Sequence, residues 1–216
     1  MGKKIGVIGS GVVGQVLANG FVKHGYDVMI GTNNTSKHEE LKSKTAGKCR
    51  IGSFEDTAKF GEIVVLAAKG TAAESALKSA GISNLKGKTV VDATNPIADA
   101  PPVNGVIQFF TSLSDSLMER LQKLAPEAHL VKAFSCIGNA FMVNPDFSGV
   151  QPTMFICGNN DTAKREVKTI LAQFGWDVED LGKVEAARAI EPLCMLWCIP
   201  GIVNNRWTHA LKLLRK

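Results

Sequence analysis

Residues 9–14 read Gly-Ser-Gly-Val-Val-Gly, a G-x-G-x-x-G spacing, and the residues on either side limit what the chain can fold into. Lys3 to Ile8 is a short apolar run rich in β-branched residues, which is the composition of a strand buried on both faces. Val12, Val13, Val16, Leu17 and Val22 then recur at helical spacing as far as His24-Gly25. A glycine turn between such a strand and such a helix is the opening of a dinucleotide-binding βαβ unit. Gly9 permits the tight turn, Gly11 lets the backbone approach a pyrophosphate, and Gly14 lets the helix pack close to the strand. Ser10, Val12 and Val13 complete the loop. The unpaired N–H groups and the positive dipole end of the helix then face the phosphates.

Tyr26 to Thr32 predicts the second strand, and it ends about 18 residues past Gly14. Proteins that bind NAD place an acid there, against the ribose 2′-hydroxyl. The stretch Ile30 to His38, "IGTNNTSKH", contains no acid. Thr32, Asn33, Asn34 and Ser36 can donate hydrogen bonds to a 2′-phosphate, and Lys37 can supply charge. The expected cofactor is therefore NADP(H) rather than NAD(H).

The rest of the chain alternates strand and helix, which predicts an α/β fold: a Rossmann-type, doubly wound, mostly parallel sheet. Residues 1–182 form this cofactor-binding domain, and residues 183–216 a small C-terminal helical extension that lines the substrate pocket. Within the extension Pro192 and Pro200 should bend or break the helix. Thr71, with Glu74 three residues on, predicts a capping box at the start of a helix. Asn95 to Asp115 breaks the rhythm with a Pro-rich segment, expected to be a lid or substrate wall.

Net charge is +5 with basic and acidic residues interleaved, and no nucleic-acid-binding motif accompanies it. Five cysteines contain no C-x-x-C pair; Cys194 and Cys198, four apart on a predicted helix, could share a metal, but no further ligands lie near them in sequence, so core packing and a reduced, cytoplasmic protein with no metal are expected. The late apolar stretch "PLCMLWCIPGIV" is too short to span a bilayer. The expected partner is a small redox acceptor, with no nucleic acid and no membrane, and the chain is expected to form a homo-oligomer, a dimer.

Four segments in order, "KIGVIGSGVVGQVLANGFVKHGYDVMIGT", "VVDATNP", "VKAFSCIGNAFM" and "EAARAIEPLCMLW…THALKLL", resemble NADP oxidoreductases that use the deazaflavin coenzyme F-420. They are also similar to the cytosolic domain of the six-transmembrane epithelial antigen metalloreductases. The resemblance implies direct hydride transfer between NADP(H) and a deazaflavin or flavin co-substrate. It implies a 2′-phosphate pocket built from a hydroxyl, an arginine and a lysine. Thr32 and Lys37 match that pattern, and Asn33 stands in the arginine's place. Ser135, and then Ile137-Gly138-Asn139, depart from the family pattern at the sixth strand.

Hydride transfer between stacked rings needs positioning more than acid–base chemistry. Ala67, Ala68 and Lys69 end the fourth strand and should line the cofactor. Thr94, Asn95 and Pro96 end the fifth and should border the nicotinamide. Ser135, Cys136 and Ile137 end the sixth and should sit near the reacting ring. Ser135, Cys136 and His209, the last expected on the final helix beside Trp207, are the candidate catalytic side chains. Asp92 is expected to bond to backbone near the cofactor loop. The alternative function is a non-catalytic NADP(H)-binding or sensing protein.

Overall fold

A computed structural model describes residues 2–216. The run before the glycine turn is a strand, β1 (Lys4–Ile8), and α1 (Val12–Lys23) follows the turn. The alternation continues through β2 (Asp27–Gly31), α2 (His38–Lys44), β3 (Arg50–Gly52), α3 (Phe54–Phe60), β4 (Ile63–Leu66) and α4 (Ala73–Ala80). It ends with β5 (Thr89–Asp92), α5 (Leu117–Leu124) and β6 (His129–Lys132). The six strands pair in parallel in the order β3-β2-β1-β4-β5-β6. The order reverses between β1 and β4, so the carboxyl ends of those strands border the crevice where such sheets bind ligands.

Strand side chains alternate between two cores, as the pleat requires. Ile5 and Val7 of β1, with Ile63 and Val65 of β4, pack against Leu17, Phe21 and Leu41 from α1 and α2. Ile8, Val64 and Leu66 point the other way, onto Ala58, Ala73, Leu77 and Leu121 from α3, α4 and α5. Helices therefore cover both faces, which is why the strands read as continuous apolar runs rather than alternating ones.

Beyond β6 the chain makes β7 (Thr153–Ile156), α6 (Asp161–Gln173) and β8 (Asp177–Asp180). β7 and β8 form their own parallel pair, tied to the main sheet by an antiparallel bridge between Lys132 and Cys157. Then come α7 (Ala187–Ile190) and α8 (Pro192–Asn204).

Two local expectations are corrected and a third holds in part. Thr71 does not cap α4: it lies in a 3-10 turn, Gly70–Ala72, that delivers the chain to the helix one step later, and Ala72 caps without a side-chain bond. The reciprocal capping box stands at Ser53 and Asp56, at the start of α3. Pro192 separates α7 from α8 and occupies the first turn of α8, where its missing N–H costs nothing, but Pro200 lies inside α8 without ending it. Residues 205–216 are not helical. Asn205 turns the chain out in the left-handed region (φ 50°), and the tail runs extended along β7. There the Thr153 N–H donates to the Leu211 carbonyl at 2.9 Å, and the Leu213 N–H donates to Thr153 Oγ1 at 3.1 Å.

The helical stretch Val184–Asn204 is 21 residues long and contains an 18-residue window of mean hydropathy 1.4, so by length and composition it reaches the span of a bilayer, contrary to the shorter apolar run read from sequence. Here Ala187, Ile190, Cys194 and Trp197 are buried against the body of the protein. The Pro-rich excursion is an irregular hairpin closed by bridges Ile97–Phe109 and Val103–Val106. At its tip Gly105 (φ 84°) abuts Val203 of α8, so excursion and helix touch.

Candidate functional site

The three glycines of the loop are held for different reasons. Gly9 adopts φ 120°, and an added Cβ would come within 2.5 Å of the Ala67 carbonyl oxygen. At Gly14 a Cβ would collide with the Gly9 carbonyl. Gly11 differs from both. Its φ of −71° and ψ of −179° suit any residue, and an added Cβ would meet nothing within 4 Å. Nothing inside the protein demands glycine there. The open space lies over the first turn of α1, which carries no acid and whose leading N–H groups lack intrahelical partners. That is an anion cradle with its approach kept clear.

The second element is the turn after β2. Thr32 is buried, and its hydroxyl accepts from Ser10 Oγ at 3.0 Å and from the Asn34 N–H at 3.2 Å. Thr32 therefore fastens the glycine loop to this turn. Asn34 Oδ1 accepts from the Ser36 N–H and hydroxyl, which leaves its amide NH₂ free to point outward. Asn33, Asn34 and Lys37 are exposed, and Lys37 makes no ion pair among the described residues. The cluster is ready to meet a phosphate.

The strand ends supply the remaining walls. Ala67 is buried against the glycine turn, and Ala68 follows it half-buried. Lys69 is exposed and pairs with Asp99 of the excursion. Pro96 is buried and Asn95 half-buried. Asn95 Oδ1 and Ser135 Oγ are buried polar atoms without a hydrogen-bond partner. Both stand where β5 and β6 end, and such atoms are costly unless something satisfies them. Ile137 is buried, and Gly138 beside it presses on the Trp197 ring. Thus α8 reaches the turn after β6.

The profile of the family described as "NADP oxidoreductase coenzyme F420-dependent" matches residues 4–96. A crystal structure from Arthrobacter sp. fb24, of a protein provisionally named an F420 dependent NADP-reductase, is 32% identical; it superposes over 99% of this chain and 100% of its own, with a TM-score of 0.92. The chain belongs to this family. Metalloreductase STEAP3 of Rattus norvegicus is 28% identical over 205 residues, which is 93% of this chain and 39% of that protein. Metalloreductase STEAP2 of Homo sapiens is 26% identical, over 92% of this chain and 38% of its own length. The chain thus spans about two fifths of the curated relatives it matches.

Membership in an NADP-dependent oxidoreductase family agrees with the groups present. Gly11 leaves room for a pyrophosphate, and the turn 32–37 offers amides and a lysine with no opposing acid. The candidate catalytic side chains fare unequally. Cys136 is buried, its thiol faces the Thr153 carbonyl, and burial pushes its pKa up to about 11, so it is a protonated packing group at neutral pH. His209 is not on the last helix. It lies in the tail, stacked on Trp197 (ring centroids 5.1 Å apart), with Nε2 2.9 Å from the Trp197 carbonyl. The Trp197 Nε1–H donates back to the His209 carbonyl at 2.9 Å, so this pair anchors the tail to α8. Ser135 alone of the three combines a strand-end position with an unpartnered polar atom.

Asp92 behaves as expected, accepting from the Thr94 N–H at 2.9 Å and the Thr94 hydroxyl at 2.6 Å. Sequence reasoning missed its partners. Lys132, fully buried, lies 2.7 Å from Asp92 Oδ2 and 2.9 Å from Glu191 Oε1. Burial disfavours its charge, yet the two carboxylates outweigh that and hold its pKa above the ordinary lysine value. The available signal was a charged residue inside each of the apolar runs "HLVKAF" and "AIEPLCMLW".

Proposed function

We propose that the protein passes hydride directly between the nicotinamide of NADP(H) and a deazaflavin, flavin or other small redox acceptor. The observation that carries this reading is the make-up of the strand ends. Ala67, Pro96 and Ile137 offer apolar walls, and the unpartnered polar atoms there belong to Asn95 and Ser135. Such a site can orient two flat rings and exclude water, which direct hydride transfer requires. The bound nicotinamide supplies the hydride or receives it. Gly11 and the first turn of α1 hold the pyrophosphate, Asn33, Asn34 and Lys37 hold the 2′-phosphate, and Asn95 and Ser135 orient the carboxamide end. The excursion and α8, in contact through Gly105 and Val203, close the far side.

The test mixes purified protein with NADPH and a panel of deazaflavin, flavin and ferric acceptors, and follows loss of the reduced-nicotinamide absorbance. Turnover with a flavin-class ring supports the reading. Tight NADPH binding with no turnover on any acceptor would make the protein a binding module instead. Ser135→Ala and His209→Ala should each lower turnover only modestly, whereas losing a general acid or base costs ~10²–10⁴-fold.

A further inference from the structure

The walls of the crevice are fastened to one buried ionic cluster that hydride transfer itself does not use. Lys132 Nζ pairs with Asp92 and Glu191 and donates to the Thr94 carbonyl at 2.9 Å. All three side chains are buried. The carboxylates face donors. Asp92 accepts from the Thr94 N–H and hydroxyl, and Glu191 accepts from the Leu117 and Met118 N–H groups at 3.0 Å each, at the positive end of α5. One cation against two anions leaves one uncompensated negative charge. The nearest other cations make their own ion pairs, Arg120 with Asp115 and Arg188 with Glu119, and Arg120 reaches Glu191 only through space. Asp92 and Lys132 both contact Thr94, one residue from Asn95, so this cluster of net negative formal charge lies at the strand end assigned above to the nicotinamide.

We propose that the Asp92–Lys132–Glu191 cluster favours the oxidised nicotinamide over the reduced one, and so biases the site toward giving hydride to the acceptor. The inference rests on the placement of the nicotinamide beside β5. When hydride, two electrons with one proton, leaves C4 of the reduced ring, that ring passes from neutral to a charge of plus one. A flavin-class acceptor takes the hydride and then a proton from solvent at the ring nitrogen left anionic. A fixed negative charge beside the nicotinamide stabilises the cationic product ring and does nothing for the neutral one. A purely structural cluster would alter the binding of both forms alike.

The test is therefore a ratio. Calorimetry would give the dissociation constants of NADP⁺ and NADPH for the wild type, Glu191→Gln and Asp92→Asn, with folding checked by circular dichroism. Both substitutions are near-isosteric, keep an acceptor for a backbone N–H and remove one negative charge. The expected result is that Kd(NADP⁺)/Kd(NADPH) rises about threefold or more in both variants. An unchanged ratio in either folded variant would overturn the proposal while leaving the cofactor assignment intact. A wild-type protein that binds neither form would overturn the cofactor assignment itself, and this proposal with it.

Discussion

Gly11→Val separates a glycine kept for a ligand from a glycine kept for the fold. In the free protein the change is mild. The backbone at Gly11 is already in an extended conformation that valine adopts readily, and the new side chain points into open space. Two small terms remain and oppose each other. Valine is a poorer N-cap than glycine, while replacing glycine lowers the unfolded chain's entropy, worth about 0.4–1 kcal/mol in favour of folding. The net stability change should stay within about 1 kcal/mol, a shift of about 2–4 °C in Tm for a chain of this size. Cofactor binding should respond very differently. The isopropyl group fills the approach to the first-turn N–H groups of α1, and losing two charge-assisted hydrogen bonds at about 1.5–3 kcal/mol each removes about 3–6 kcal/mol. That is more than a hundredfold in affinity. The assay pairs a thermal melt with calorimetric titration of NADPH. Gly14→Ala is the contrasting variant: its Cβ would strike the Gly9 carbonyl, so it should lower Tm strongly. If Gly11→Val folds normally and binds NADPH within tenfold of the wild type, no pyrophosphate lies over the loop, and the reasoning from the empty space above Gly11 fails.

NADPH should bind about ten- to a hundredfold tighter than NADH, because a 2′-phosphate gains charge-assisted bonds from the 32–37 turn; equal calorimetric affinities would refute this, and Lys37→Ala should shrink the difference. Lys132→Met should cost about 3–5 kcal/mol in denaturant unfolding, since it strands two buried carboxylates; a loss under 1 kcal/mol would mean that the cluster is not ionised. The Arg188 guanidinium holds Glu119 below its ordinary value of 4.5. A depressed folded-state pKa stabilises the protein above the unfolded value, and the stabilisation is lost as pH falls through the folded one. Glu119→Gln should therefore lower Tm at pH 7, and the gap to wild type should narrow as pH falls below the ordinary value of 4.5; a gap constant from pH 7 to pH 3 would refute the assignment.

The glycine loop, the alternation of strand and helix and the acid-free turn were legible because each is a local constraint. A βαβ unit forces its glycines and its apolar runs within some thirty residues, so a mostly parallel sheet follows from the pattern, whereas the separation of β7 and β8 into their own pair does not. The tail was misread for the opposite reason. "THALKLLRK" has helical periodicity and good helix formers, and propensity alone makes it a helix. What it meets is β7, whose Thr153 offers both its N–H and its hydroxyl to an extended neighbour, and whose partner β8 presents Asp177 and Glu179 to Lys212 and Arg215. Those bonds exist only after residues some sixty positions away have folded, and no window along the chain contains them.

The ionic cluster shows where the boundary lies. A charge within a run otherwise free of charge must find a partner or neutralise. The sequence alone therefore says that Lys132 and Glu191 are each either paired or neutral. It does not say that they are paired with each other, since 59 residues separate them and the link passes through β6 and the α7–α8 junction. The same connectivity makes the cluster useful to the site. Asp92 holds the start of the excursion at Thr94, and Glu191 holds its end at Leu117 and Met118. Glu191 also stands immediately before Pro192, where α8 begins. Three walls of the crevice are thus tied to carboxylates that share one lysine, and a site that works by holding two rings in register needs that restraint more than it needs a proton donor.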